Sequence, residues 1–266
     1  MEKVVVMYKK RGETPREALE RLREEKKDEL GDETPLTYAG RLDPLAEGAL
    51  IVLVGDEIKN KKRYLDMEKE YRCEVLFGFS SDTYDVLGKL SAAPTKIAHP
   101  RVRAGLLLKA VSDFVGTSEE EYPPYSSKRV RGKALFEWAR EGRISEIKVP
   151  THTVTVSESI LCGLRTERIE KLWQDIDTRI MSVKGDFRQK EIRDCWWESV
   201  RPLYDETCDI ATIHFKVSSG AYIRSFAHDL GKKLGIPALA FSIVRTRIGS
   251  KYAVPFLLIS DVERVK

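Results

Sequence analysis

The sequence has little of what builds metal centres or disulfide frameworks. Its 266 residues include four cysteines (Cys73, Cys162, Cys195 and Cys208) and four histidines (His99, His152, His214 and His228). The cysteines form no CxxC pair and the histidines show no ligand spacing, which argues against a zinc site and against a disulfide scaffold. Reduced thiols in a cytoplasm fit this usage, so a cytoplasmic protein without a metal is expected. No apolar run approaches the roughly 18 residues of a membrane span. The longest, residues 49–54, is strand-sized, and residues 4–6 are too short for a signal-peptide core. Internal repeats and low-complexity tracts are also missing. Charge of one sign is scarce: 46 Lys/Arg against 42 Asp/Glu leave +4, which permits a nucleic-acid partner without announcing one.

What is present is globular: 42% hydrophobic and 33% charged residues, enough to bury a sizeable core. A short strand over residues 4–7 precedes Thr14-Pro15-Arg16-Glu17, in which Thr14 is placed as N-cap, Pro15 as first helical residue and Glu17 as partner in a capping box. Gly31 closes that helical stretch. Residues 35–48, with two prolines and two glycines, predict an ordered loop, and residues 49–54 a buried strand. Residues 72–79 predict a strand, 80–88 a polar turn, and 104–115 and 133–140 helices. Alternation at Val154/Val156 and at Ala211, Ile213, Phe215 and Val217 predicts half-buried strands. Ile223, Phe226, Ala227, Leu230 and Leu234 recur at helical spacing.

Strands and helices mix without βαβ alternation, so the expected class is α+β on a mixed, largely antiparallel sheet with flanking helices. Residues 1–266 are read as one domain. Residues 164–205 are charge-dense, nearly balanced in sign, and carry Trp173, Trp196 and Trp197. They are read as a helical insertion docked by its aromatics.

The segment most suited to chemistry is Gly40-Arg41-Leu42-Asp43-Pro44-Leu45-Ala46-Glu47-Gly48, which presents a carboxylate in a Gly/Pro-shaped loop before a buried strand. Asp-Pro is also an ordinary turn dipeptide, so on pattern alone Asp43 is equally a turn cap. By the same token Tyr71 alone is an ordinary strand residue and Arg224 a surface arginine in the first turn of a helix.

Four blocks taken in order change that balance. The Asp43 loop resembles the GTLDPLATG loop of the TruB family of tRNA pseudouridine synthases. Glu70-Tyr71-Arg72 with Gly78, Asp82-Thr83-Tyr84-Asp85 and Gly88 resembles its KxYxxxxxxG…TDTxDxxG block. Tyr122-Pro123-Pro124-Tyr125-Ser126-Ser127-Lys128, with Gly132 and Ala139-Arg140-Glu141-Gly142, is similar to QxPPxxSAxKxxG…ARxG. Ser218-Ser219-Gly220-Ala221-Tyr222-Ile223-Arg224-Ser225 with Asp229-Leu230-Gly231 is similar to SxGTYIRSLxxDLG.

The resemblance implies a pseudouridine synthase-like catalytic domain that isomerises uridine in a folded RNA by base flipping, with the T-loop uridine-55 of tRNA as the expected target. It implies that Asp43 attacks the flipped nucleotide, at C6 of the base or C1′ of the sugar. Tyr71 would stack on the base and accept the C5 proton. Arg224 would pair with Asp43, while Tyr222 and Ile243 line the base pocket. The bond broken and the bond made lie in one substrate, so neither cofactor nor metal is needed. On the RNA side, Lys9, Arg41, Lys128 and Arg129 are expected at the substrate. The basic stretch 126–143 and the cluster Lys59, Lys61, Lys62 and Arg63 would serve as phosphate contacts.

The sequence departs from the family in four ways. Tyr38 stands where a histidine is usual, and Arg41 replaces a threonine. The KPxGxTS stretch survives only as Lys9 to Pro15, and no C-terminal PUA-type domain is expected before Lys266. These departures bear on the RNA target more than on the chemistry. The rival readings are the same chemistry on another RNA such as ribosomal RNA, a tRNA-folding chaperone with little turnover, and a basic α+β binding module. A monomer is expected.

Overall fold

The architecture is that of a computed structural model, which describes residues 3–31, 33–93 and 102–253. In chain order its elements are β1 (Val4–Lys9), α1 (Pro15–Glu25), α2 (Lys27–Leu30), β2 (Leu36–Ala39), β3 (Glu47–Val54), α3 (Lys61–Leu65), β4 (Lys69–Phe77), β5 (Ser80–Ser81) and β6 (Leu90–Ala92). There follow α4 (Ala104–Ser112), β7 (Gly116–Glu121), β8 (Arg129–Val130), β9 (Lys133–Ala134), α5 (Leu135–Arg140), β10 (Thr151–Arg168), α6 (Ile169–Ser182) and α7 (Gln189–Val200). Last come β11 (Thr207–Val217), α8 (Ile223–Leu234), β12 (Ala238–Ile248) and β13 (Tyr252–Ala253).

One nine-stranded sheet runs β1-β3-β12-β4-β11-β10-β7, with β2 added to β3 and β13 to β12. All pairings are antiparallel except β3 with β12, where Val244 lies opposite Glu47 and Arg245 opposite Gly48. The class is therefore α+β on a mixed, largely antiparallel sheet.

Period-two alternation sends successive side chains of the central strands to opposite faces. Tyr71, Cys73 and Val75 of β4, Ala211, Ile213 and Phe215 of β11, and Ala240 and Ile243 of β12 share one core with α4 and α8. Leu76, Ile210, Leu239 and Phe241 face the other way, into a second core closed by α6 and α7. On the outer strands, Leu50 and Val52 of β3 meet α1 and α2 on one face. Ala49, Ile51 and Leu53 meet Tyr64 and Ile248 on the other. This two-sided burial is why residues 49–54 read as an unbroken apolar run.

The capping box forms: the Glu17 amide donates to Thr14 Oγ1 at 3.2 Å and the Thr14 amide to Glu17 Oε2 at 2.8 Å. Several expectations are corrected. Residues 36–39 are strand β2 on the edge of β3, not loop, because their amides and carbonyls complete that edge. The second expected helix begins at Leu135, since Lys133 and Ala134 form a β-ladder with Arg129 and Val130. The stretch 164–205 is helical only from Ile169. Residues 164–168 extend β10, whose 18-residue length is set by pairing first with β7 and then with β11. Strand β12, at the centre of the sheet, was not foreseen.

Trp196 is fully buried, packs on Phe79 with ring centroids 5.4 Å apart, and donates from Nε1 to Gly88 O at 3.2 Å. The neighbouring Trp197 is 39% exposed. Trp196→Ala should therefore cost about 3–5 kcal/mol of unfolding free energy. Trp197→Ala should cost well under half of that, and urea denaturation of the two variants checks the ranking.

Candidate active site

The loop between β2 and β3 carries Asp43 and is held on both sides of it. Leu42 and Ala46 are buried in the core beneath α8, and Leu45 in the core beneath α6. Two buried cations bind its carbonyls from below. Lys9, at the end of β1, donates from Nζ to Lys10 O (3.0 Å), Pro44 O (3.1 Å) and Ala46 O (2.6 Å). Arg245, on β12, donates from Nε to Ala49 O (2.7 Å) and from Nη2 to Gly40 O (3.0 Å). The Gly12 amide adds a bond to Pro44 O at 3.0 Å, and the Ala46 amide closes a turn on Asp43 O at 3.1 Å. Gly48 follows with φ +110°. A Cβ there would sit 2.2 Å from the backbone oxygen of Arg245, so only glycine lets β3 lie against β12 at this point.

Helix α8 delivers the counter-charge. Arg224 lies in its first turn and is 3% exposed. Its Nε is 2.7 Å from Asp43 Oδ2 and 3.9 Å from Asp85 Oδ2. The two terminal nitrogens donate to Thr83 O at 2.6 Å and to Tyr125 O at 3.2 Å. Burial works against the charge of Arg224, but the adjacent carboxylates of Asp43 and Asp85 outweigh it and raise its pKa. The guanidinium therefore stays protonated and holds a fixed positive charge against Asp43.

Asp85 is nearly inaccessible. Burial pushes its carboxyl up to about 6; Arg224 opposes the rise, while Asp43 adds to it. Its Oδ1 accepts from Thr83 Oγ1 (2.7 Å) and from the Leu87 amide (3.0 Å).

Around this ion pair lies a cavity of about 740 Å³. Asp43, Tyr71, Arg224, Tyr222, Ile243 and Arg41 all line it. Tyr71 and Ile243 are each 8% exposed and supply an aromatic and an aliphatic wall. Tyr222 lies at the start of α8, its ring 5.9 Å from the Arg224 guanidinium; burial and the charge of Asp43 raise its phenol, with Arg224 opposing. Arg41 is exposed at the mouth.

A family model described as the TruB family pseudouridylate synthase N-terminal domain matches residues 33–187, more than half of the chain. The chain belongs to the TruB family. It is 28% identical to tRNA pseudouridine synthase B of Aquifex aeolicus over 93% of this chain and 69% of that protein. Identity to the protein of the same name from Mesomycoplasma hyopneumoniae is 31%, over 80% of this chain and 51% of that one. The matches thus span between about half and about seven-tenths of these relatives' length. A solved chain in a Cbf5-Nop10-Gar1 complex superposes with a TM-score of 0.55 at 17% identity, over 92% of this chain and 48% of that one. That likeness is one of fold.

Other expected contact residues of this TruB-family chain divide. Lys9 lies behind the loop and outside the cavity lining: it is fully buried and its ammonium donates to the loop carbonyls, so it braces the loop from behind. Burial brings its pKa down to about 8, against the opposing charges of Glu13, Asp43 and Glu47. Lys128 and Arg129 are exposed and lie outside the cavity lining. Lys128 sits 5.0 Å over the Tyr122 ring, and Arg129 donates to Gly132 O at 2.8 Å. The cluster after β3 is largely engaged by its neighbours. Lys59 pairs with Asp56 at 2.7 Å and Lys62 with Asp66 at 3.7 Å, while Lys61 donates to Thr37 Oγ1 at 3.1 Å and overlies Tyr38.

The histidines serve packing. His228 stacks on Tyr84 at 3.9 Å, His152 on Tyr122 at 4.1 Å, and His214 is buried beside Glu158; His99 lies outside the described residues. Sequence reasoning quoted Asp85 within a motif without assigning it a role, and it did not single out Arg245. Their signal was a charged residue inside an otherwise apolar or turn-forming stretch.

Asp85 yields a pH test. Its folded pKa, about 6, lies above its ordinary value of 3.8. The stability it contributes is thus fully present below the unfolded value and is lost as pH rises through the folded one. As pH rises from about 4 to about 7, Asp85→Asn should lose less stability than wild type, as read from urea unfolding at both values.

Proposed function

We propose that this protein isomerises uridine to pseudouridine in a folded RNA, with the T-loop uridine-55 of tRNA as target, working as a cytoplasmic monomer without cofactor or metal. One observation carries the reading: a carboxylate on a braced loop, 2.7 Å from a buried arginine, opens into a cavity walled by Tyr71 and Ile243. That cavity suits a planar base taken out of its stack. The name shared by the curated relatives, tRNA pseudouridine synthase B, supports tRNA as the substrate class.

The chemistry is the one the family resemblance implies, and the geometry suits it. The Asp43 carboxylate, aimed by Arg224, attacks the flipped nucleotide at C6 of the base or C1′ of the sugar. The N1–C1′ bond breaks and the uracil turns within the pocket, where Tyr71 and Ile243 confine it without directional bonds. A C5–C1′ bond then forms and the bond to Asp43 breaks, displaced from C1′ by C5 or eliminated from C6; C5 gives up its proton and N1 gains one, so substrate and product are isomers and the carboxylate is regenerated. A ring stacked on the base contributes about 1–3 kcal/mol of binding. Tyr71, in the wall of the cavity, is assigned as acceptor of the C5 proton. The mouth of the cavity carries Arg16, Arg41 and Arg140, which suits phosphates flanking a flipped nucleotide.

The test uses purified protein and unmodified tRNA transcripts, with pseudouridine mapped by carbodiimide-dependent primer-extension stops. Wild type should convert the T-loop uridine. Asp43→Asn should convert none while retaining RNA affinity within a few-fold, because the lost group acts on bond-making more than on binding. Tight binding without conversion would shift the reading to ribosomal RNA or to RNA folding.

Affinity should also fall steeply with salt, by about 10³-fold between roughly 50 and 200 mM if some six phosphates are engaged. A flat dependence in filter binding would remove the phosphate-contact reading.

A further inference from the structure

The turn between α6 and α7 reaches the active site from the opposite layer of the molecule. We propose that Arg188, in this turn, is a positioning residue for the isomerisation: it ties Asp82 to Tyr125 and so fixes the two carbonyls that hold Arg224 against Asp43. The inference rests on the function proposed above.

The Arg224 guanidinium has two backbone acceptors, Thr83 O and Tyr125 O, from segments far apart in the chain. Each acceptor is at or beside a residue that Arg188 grips. Arg188 Nη1 donates to Asp82 Oδ2 at 2.8 Å and Nη2 to Asp82 Oδ1 at 3.3 Å, a forked pair one residue before Thr83. The same guanidinium lies 4.7 Å over the Tyr125 ring, and the Tyr125 hydroxyl donates to Asp82 Oδ2 at 2.9 Å. One planar cation thus clamps both segments, and the side chain is only 18% exposed. Burial and the Asp82 charge push the Tyr125 phenol up to about 12, so it stays protonated and remains a donor.

The turn is built to hold this side chain. Arg188 has φ +63°, in the left-handed region that a non-glycine residue enters only when its surroundings compel it. Gln189 Nε2 donates to Val183 O (3.0 Å) and Gly185 O (2.7 Å), tightening the loop. Arg140 of α5 donates to Asp186 O at 3.2 Å, fastening it across the cavity mouth. Behind it, α6 is anchored to β12 by Arg179, which donates to Phe241 O and stacks on the Phe241 ring at 3.9 Å. A lysine could reach Asp82 but would lack both the fork and the planar face on Tyr125. Without Arg188, Asp82 keeps the Lys89 amide and the Tyr125 hydroxyl, so the fold should survive.

Steady-state kinetics on tRNA transcripts, with thermal unfolding as a folding check, give the test. Arg188→Ala should lower kcat by about 10–100-fold, the scale of a small misplacement of reacting groups, with KM for RNA little changed. Arg188→Lys should fall between. Asp82→Asn combined with Arg188→Ala should lose little more than Arg188→Ala alone, because both remove one clamp.

A raised KM and a shallower salt dependence with kcat intact would make Arg188 a phosphate contact and overturn the proposal. Unchanged kinetics would overturn it as well. If wild type converts no RNA, the isomerase reading falls by itself. The Nε–Hε resonance of Arg224, which needs no turnover, then decides on the clamp: it should broaden or exchange faster in Arg188→Ala, and an unaltered resonance overturns it.

Discussion

A carboxylate that must act as a nucleophile has to be ionised, aimed and partly withheld from water, and those demands conflict unless a permanent cation stands beside it. In the function proposed above that cation is Arg224, 2.7 Å from Asp43, and much of the molecule is arranged around this contact. Arg224 is itself deeply buried, so its charge needs more than one partner. Asp43, Asp85 and two backbone carbonyls share that task. A buried arginine stripped of these partners would be costly, which is why several loops are drawn to the start of α8.

The loop bearing Asp43 is restrained in a complementary way. Its apolar residues are sunk into two separate cores, and its carbonyls are bound by Lys9 and Arg245 from strands on either side of β3. Such a loop has little conformational freedom left to lose when substrate enters, which is the physical content of a preorganised site. The same restraint explains why two buried cations are tolerated in an apolar setting: each has its polar contacts satisfied by backbone oxygens.

The sheet supplies the remaining walls through register. Tyr71 and Ile243 sit on neighbouring central strands with their side chains on one face, the face on which α8 packs. Helices α6 and α7 cover the opposite face, yet their connecting turn curls round to the cavity beside Tyr125. A region that reads in sequence as a covering layer thus also borders the site, and only the path of the chain reveals it.

Much of this protein is legible in its residues. The capping box at Thr14, the alternating strand at 211–217 and the amphipathic helix carrying Arg224 depend on local periodicity and capping, which are properties of neighbours in the chain. The ordered motif blocks placed Asp43, Tyr71, Tyr222 and Arg224, the family resemblance added Ile243, and the fold brings all five to one cavity. Other features were closed to such reading. β12 lacks clear alternation because it is buried on both faces, and β2 is a strand only because β3 offers it an edge. Lys9 looks like a surface cation until two carbonyls from a loop 35 and 37 residues away are found on it. Residue type and spacing determine which chemistry the chain can carry. Which cation lines the cavity, which braces a loop and which borders the segments that hold Arg224 is decided by contacts between distant segments, and these exist only once the sheet has formed.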